Sequence, residues 1–312
     1  MEERAPLRRV LVIKLGALGD FVQAMGPAAA IRAHHRAAEI TLLTSAPFVA
    51  LARAAPYFDR VWVDERPGMS RPLGLWRLRQ RLREGGFDRV YDLQTSDRSS
   101  LYFHLLRPGR RPEWSGIARG ASHPHANPER DRMHTVERQA EQLRAAGIAR
   151  VPAPDLAWAK TDLARLKLPE RMLLLVPGGA PHRPEKRWPV EHYAALARQA
   201  AALGVTPVII GGAAEATLGE VIAASVAEAV DLTGGTSFGD VVALGARALH
   251  AVGNDTGPMH LIVAGGGSAT VLYAGASDPA LTAPRGARVT ILRRNDLAAL
   301  GLAEVAATLP FG

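Results

Sequence analysis

The chain has 312 residues, 47% hydrophobic and 22% charged, with a formal charge of +8, which excludes global disorder and suits two domains of roughly 150 residues each. Cysteine is absent, so disulfides, thiolate zinc sites, iron–sulfur clusters and a cysteine nucleophile are excluded. The first apolar run, Val10 to Ile13, is too short for a signal-peptide core and no run of ~18 apolar residues follows, so a cytoplasmic protein is expected.

Val10–Ile13 reads as a buried parallel strand ending near glycine, and Gly16 to Asp20 turns into a helix running to about His35. A strand at Ile40–Thr44, a short helix at Pro47–Ala55 and a strand at Arg60–Val63 follow. Leu73 to Glu84 predicts an amphipathic helix, with Leu75, Leu78 and Leu82 opposite arginines 77, 79, 81 and 83. Phe87–Leu93 is the next strand. From Arg107 to Arg132 the pattern dissolves into Pro, Gly, Arg, His and Asn, a length that marks a functional or mobile connection. Helix resumes over His134–Ala146, and a linker runs from Val151 to about Pro169.

The second half repeats the rhythm. Strands are predicted at Met172–Val176, Thr206–Ile210, Val230–Leu232, Ala248–Val252, Thr270–Tyr273 and Val289–Leu292. Helices are predicted at Val190–Leu203, Glu215–Ala227, Phe238–Ala246 and Met259–Ala264. Alternation of strand and helix argues two doubly wound sheets. Ligands of such sheets bind at the carboxyl ends of the strands, so facing loops of the two halves are expected to form one cleft.

Three motifs carry chemistry. In Lys14-Leu-Gly-Ala-Leu-Gly19-Asp20, Gly16 and Gly19 permit a tight strand-to-helix turn, and the helix end keeps the Asp20 carboxylate ionised. Asp20 is either a helix cap or a general base. The dinucleotide fingerprint GxGxxG is absent. In the loop Pro177 to Pro189, Gly178 and Gly179 can offer backbone amides to phosphate oxygens and Lys186 a point charge; a solvated basic loop is the alternative. Gly253-Asn-Asp-Thr-Gly-Pro-Met-His260 ends a strand and opens a helix, so the amides of Thr256 and Gly257 form an anion site. Asp255 or Thr256 alone would be a cap, and His260 alone a core histidine.

Lysine occurs only at 14, 160, 167 and 186, so the remaining 34 of 38 basic residues are arginine. GC-rich coding explains that bias, and so do anionic partners bound by guanidinium forks. Arginines 77 to 83, 107, 110, 111, 119, 130 and 132 all lie in the first half. No nucleic-acid-binding module accompanies them.

In this order and spacing, Lys14 to Asp20, Lys186-Arg-Trp-Pro189 and Gly253 to His260 resemble the ADP-heptose:lipopolysaccharide heptosyltransferases of glycosyltransferase family 9. Asp92 to Ser99, His134 to Arg138 and Ser277 to Pro284 agree, and the likeness spans about residues 8 to 308. It implies a GT-B fold, two Rossmann-like doubly wound parallel-sheet domains facing across a cleft. Residues 1–155 would bind the acceptor and 156–312 the nucleotide sugar, the last helix being a candidate to pack back on the first domain. The implied roles are Asp20 as catalytic base, Lys186 on the donor diphosphate, and Asp255, Thr256, Gly257 and His260 around the heptose and phosphates. Glu215 would hold the ribose, and Gly178 and Gly179 the phosphates through backbone. Gly179 and Ala180 depart from members that carry hydroxyls there. Acceptor contacts are expected from Gly16, Gly19, Arg98, Arg119 and His134.

The resemblance thus implies an inverting transfer of heptose from ADP-heptose to an anionic lipopolysaccharide core, with no cofactor and no metal. No Asp-x-Asp occurs to hold a cation. The helix around Trp76 either rests on the cytoplasmic face of the inner membrane or is an exposed basic face. Alternatives are a transferase using another nucleotide sugar and a non-catalytic nucleotide-sugar-binding protein.

Overall fold

The computed structural model describes residues 7–66, 72–106, 109, 111–179 and 183–311. Ala180, Arg107 and Arg110 lie outside them. The chain divides into two compact units, Met1–Pro154 and Asp155–Gly312.

The first unit runs β1 (Arg9–Ile13), α1 (Leu18–Gln23), α2 (Met25–His34), β2 (Glu39–Thr44), α3 (Val49–Ala54), β3 (Arg60–Val63), α4 (Pro72–Glu84), β4 (Arg89–Asp92), α5 (Asp97–Leu105), β5 (Glu113–Gly116), β6 (His123–Pro124) and α6 (Thr135–Ala145). The second runs β7 (Met172–Val176), α7 (Val190–Ala202), β8 (Thr206–Ile209), α8 (Ala216–Ala223), β9 (Val230–Asp231), α9 (Phe238–Arg247), β10 (His250–Asn254), α10 (Gly257–Ala264), β11 (Ala269–Ala274), α11 (Pro279–Thr282), β12 (Val289–Arg294) and α12 (Leu302–Ala306).

Both sheets have six parallel strands. Their orders are β3-β2-β1-β4-β5-β6 and β12-β11-β10-β7-β8-β9. Counted within each unit, the second order is the first read from the other edge. Each sheet therefore changes winding direction between its first and fourth strands, β1 and β4 or β7 and β10, where doubly wound sheets bind ligands. The central strands are continuous apolar runs because helices cover both faces: β7, β10 and β11 are buried throughout. The outermost β6 and β9 have two residues each, too little open backbone to recruit another strand.

Three departures from the periodicity have local causes. The single helix predicted to about His35 is two, meeting at Ala24. Pro27, in the first turn of α2, has no N–H to bond back toward Gln23, so the ladder is interrupted there. Second, α5 is hidden in a serine-rich stretch. Its start is a reciprocal cap in which Ser96 accepts from the Ser99 amide and Ser99 from the Ser96 amide. Third, β5 and β6 lie inside the segment that reads as irregular, because so few residues show no alternation. Beyond these, α12 packs against α7, and Val305 joins Leu173, Trp188 and Leu196 in the core of the second unit.

Two buried histidines make stability depend on pH. His35 Nε2 lies 2.8 Å from the Tyr91 hydroxyl, and burial, with the nearby His34, Arg89 and Arg32 charges, lowers its pKa to about 4. His250 bonds Ser268 and Thr270 through its two ring nitrogens and is lowered to about 4, first by burial and then by Arg288. An unfolded imidazole binds its proton near pH 6.5, so the contribution is full above that value and is lost as pH falls toward 4. Buried Asp92, raised to about 6, acts oppositely over part of this range, but there are two histidines. Melting temperature should fall between pH 6.5 and 4, with the C2–H resonances of His35 and His250 titrating near pH 4. Titration of both near 6.5 would overturn the assignment.

Candidate active site

In the first unit, β1 ends in a buried lysine. Lys14 Nζ donates to the Leu93 carbonyl at 3.2 Å, tying the end of β1 to the end of β4. Burial lowers its pKa, against the raising effect of Asp20 and Asp92. Gly16 follows with φ +130, and a Cβ there would stand 2.9 Å from the Phe48 ring, so the turn excludes other residues. Gly19 and Asp20 are the second and third residues of α1. The preceding Ala17 has no side chain with which to cap it. Among the described residues the half-buried Asp20 carboxylate makes no hydrogen bond and no ion pair. It is placed near positive helix potential and near Lys14, and it is not tied up as a cap.

The neighbouring loop after β4 is held by Asp92, fully buried, whose Oδ1 accepts from the amides of Gln94 and Thr95 at 3.1 and 3.0 Å. Burial is what pushes its pKa up to about 6, against the hydrogen bonds and the Lys14 charge. Gln94 Oε1 in turn accepts from the Leu15 amide at 2.8 Å. The two loops at this switch point are thus one hydrogen-bonded assembly.

Of the expected acceptor residues, Gly16 and Gly19 lie between β1 and the first turn of α1, and the others follow β4, β5 and β6. Arg98, in the first turn of α5, donates to the Tyr102 hydroxyl at 3.2 Å. Arg119 is exposed. His134 is buried and serves as the N-cap of α6, Nδ1 accepting from the Val136 amide at 3.2 Å. A cavity of about 310 Å³, lined by Val63, Asp64, Glu65, Arg77, Leu78 and Arg81 among others, lies under α4. Asp64 in its wall accepts from the Tyr102 hydroxyl at 2.5 Å.

In the second unit, Asn254 organises the site. Its side chain is fully buried, and Nδ2 donates to the carbonyls of Pro177 and Gly178 at 2.9 and 3.1 Å. Its Oδ1 accepts from the Trp188 amide at 2.9 Å and the Tyr193 hydroxyl at 3.1 Å. One amide thus clips the loop after β7 to the end of β10. Trp188 completes the anchor, its indole donating to the Leu300 carbonyl at 2.9 Å and its ring edge-on to Tyr193. The sequence shows Asn254 only as part of a turn; its signal is a polar residue closing a buried strand, which needs partners for every donor and acceptor. Asn254→Ala would strand the Trp188 amide and two carbonyls, and leave the Tyr193 hydroxyl only the Val176 carbonyl at 3.3 Å. Thermal melts should show a loss of about 2–4 kcal/mol, and an unchanged melting temperature would refute the clip.

Lys186 ends a short 3₁₀ turn, Pro184–Lys186, two residues before this anchor. It is half-buried, and among the described residues no carboxylate pairs with it. Arg187 donates to the Gly179 carbonyl at 2.7 Å. Glu215 packs close on Gly178, where a Cβ would meet its Cγ at 2.8 Å. A side chain there would require Glu215 to move. One oxygen of Glu215 accepts from the Gly212 amide at 2.7 Å, leaving Oε1 near Gly178.

After β10, Thr256 is the N-cap position of α10, yet its hydroxyl donates back to the Asn254 carbonyl at 3.2 Å and caps nothing. The amides of Thr256 and Gly257 therefore stand open among the described residues, with Asp255 half-exposed before them and His260 buried in the first turns. Such an end attracts anions. Among the described residues no group of three or more His, Asp or Glu side chains is placed to hold a metal ion.

Two parallel doubly wound units with motif loops at both switch points match the GT-B fold. Comparison with known proteins agrees. A model of glycosyltransferase family 9 (heptosyltransferase) matches residues 75–303. Lipopolysaccharide heptosyltransferase 2 of Salmonella typhimurium is 30% identical over 238 residues, 70% of this chain and 68% of that protein. Lipooligosaccharide heptosyltransferase 2 of Haemophilus influenzae is 34% identical over 131 residues, 40% of this chain and 38% of that protein. The fold superposes on the E. coli ADP-heptose lipopolysaccharide heptosyltransferase II with a TM-score of 0.79, at 24% identity and covering 96% and 97% of the two chains. An E. coli heptosyltransferase solved with ADP gives a TM-score of 0.74 at 22% identity, covering 96% and 98%. The chain belongs to glycosyltransferase family 9, the heptosyltransferases, and is a glycosyltransferase.

Proposed function

We propose that this chain transfers heptose from ADP-heptose, with inversion at the anomeric carbon, onto an anionic lipopolysaccharide core or related glycan. The observation that carries the reading is the anion site of the second unit, where Asn254 draws together unpaired Lys186 and the uncapped start of α10. A departing ADP needs its growing charge neutralised, and a lysine with open amides supplies that without a metal. Glu215 Oε1 is the acceptor for the ribose hydroxyls, and Asp255 and His260 line the heptose.

In the first unit, Asp20 takes the proton of the acceptor hydroxyl as its oxygen attacks the anomeric carbon from the face opposite the diphosphate. The new glycosidic bond forms as the bond to phosphate oxygen breaks, and ADP leaves with both electrons. Arg98 and Arg119 suit an acceptor bearing carboxylates and phosphates. Relatives whose names include ADP-heptose and lipopolysaccharide support the choice of donor and acceptor.

The test is a panel of ADP-heptose, ADP-glucose, UDP-glucose and UDP-N-acetylglucosamine with heptose-deficient lipopolysaccharide, in excess EDTA. ADP-heptose should raise the melting temperature, since it binds only the folded chain. It alone should support transfer, with inverted product configuration and a rate insensitive to EDTA. Transfer from another sugar nucleotide would replace the donor. Activity lost in EDTA and restored by Mg²⁺ or Mn²⁺ would overturn the account of the leaving group.

A further inference from the structure

Among the described residues the large exposed hydrophobic side chains are Leu73 (72%), Trp76 (55%), Val221 (46%) and Leu203 (43%). The two most exposed lie three residues apart on α4. With 3.6 residues per turn, Leu73, Trp76, Arg77, Gln80 and Arg83 share one face of this helix. Leu78 and Leu82, on the other face, are buried in the core of the first unit.

The arginines of α4 divide in the same way. Arg79 Nε donates to the Leu105 carbonyl at 2.8 Å, and Arg81 donates to the Val63 carbonyl at 3.1 Å while lying over the Trp62 ring. These two fasten the helix to its unit. Arg77, at the rim of the cavity under α4, and Arg83 are exposed, and among the described residues neither makes an ion pair. The outer face is therefore a tryptophan and a leucine flanked by two unpaired guanidinium groups, on a chain of net charge +8.

We propose that this outer face of α4 is a docking surface for an anionic lipid bilayer. A tryptophan beside a leucine fits the boundary between headgroups and acyl chains, where an indole has apolar surroundings and a partner for its N–H. Arginines extend past such residues to keep their charge among lipid phosphates. The charge complementarity selects an anionic surface over a neutral one. With two apolar anchors and two charges, attachment is weak and reversible, and it requires both components. The inference does not depend on which sugar the enzyme transfers.

Sedimentation of the full chain with vesicles, free of donor and acceptor, tests it. Wild-type protein should bind vesicles containing phosphatidylglycerol, bind pure phosphatidylcholine far less, and detach in high salt. Leu73→Ser with Trp76→Ser, and separately Arg77→Gln with Arg83→Gln, should each reduce partitioning at least about 10-fold. Since these side chains are exposed, the melting temperature of both variants should match wild type, and a variant that melted early would be replaced by the single Trp76→Ser. Binding unaffected by either pair would overturn the proposal. So would absence of vesicle binding together with a doubled mass in solution abolished by the apolar pair, which would make the face a contact between two copies. Binding of a soluble phosphorylated oligosaccharide in place of vesicles would also overturn it.

Discussion

Asp20→Asn should lower kcat by at least about 100-fold while leaving donor affinity and melting temperature close to wild type. General-base contributions run to about 10²–10⁴-fold, and the substitution removes a charge with almost no change in volume. The structural position sharpens the test. Asp20 is the third residue of α1, its carboxylate accepts no hydrogen bond among the described residues, and the residue before the helix is Ala17. Replacing it forfeits the favourable helix-end interaction, about 0.3–1 kcal/mol, and the attraction to the Lys14 ammonium. A residue that served the helix alone would show that small loss in stability and near-normal turnover. Measuring kcat, donor Kd and melting temperature on one preparation separates the outcomes, and near-wild-type turnover would leave the reaction without its base.

Lys186→Ala should weaken ADP binding by roughly 1.5–3 kcal/mol, the range for a hydrogen bond to a charged group. That is about 10- to 150-fold in Kd. The backbone around Lys186 is fixed by neighbours and not by its own side chain: Trp188 is anchored through Asn254 and Leu300, and Arg187 through Gly179. The alanine variant therefore loses an ammonium and little else. Calorimetry that returned unchanged ADP affinity would remove Lys186 from the diphosphate site.

Most of the architecture was legible because parallel strands covered on both faces are continuous apolar runs, and Val10–Ile13 and Met172–Val176 can be little else. The motif loops were legible for a related reason: each follows such a run at a switch point, where glycine and polar residues stand out. Elements stabilised by tertiary contact were not legible. Glu113–Gly116 becomes a strand because it pairs with Arg89–Tyr91, and Glu113 also accepts from Arg89 Nε at 2.7 Å. Ser96 to Leu105 becomes a helix through a serine cap that composition alone reads as loop. Within the site, the clip made by Asn254 was invisible for the same reason, since its partners are 61 to 77 positions away. The cavity under α4 joins Asp64 and Arg81, whose proximity no spacing rule announces.

Each of the two units buries a hydrophobic cluster drawn from its own residues, Leu11 to Ala118 in one and Leu173 to Val305 in the other. The proposed base, Asp20, lies on the first, and the proposed anion site, with Lys186 and the start of α10, on the second. Substitutions that reshape the arginine-rich first unit, from α4 to the loops beyond β6, thus fall outside the packing that supports Asn254 and Lys186. On the roles proposed above, selection could vary the molecule that receives the sugar without redesigning the residues that hold the nucleotide. Under those roles, acceptor preference would drift faster than donor preference among relatives that share the core of the second unit.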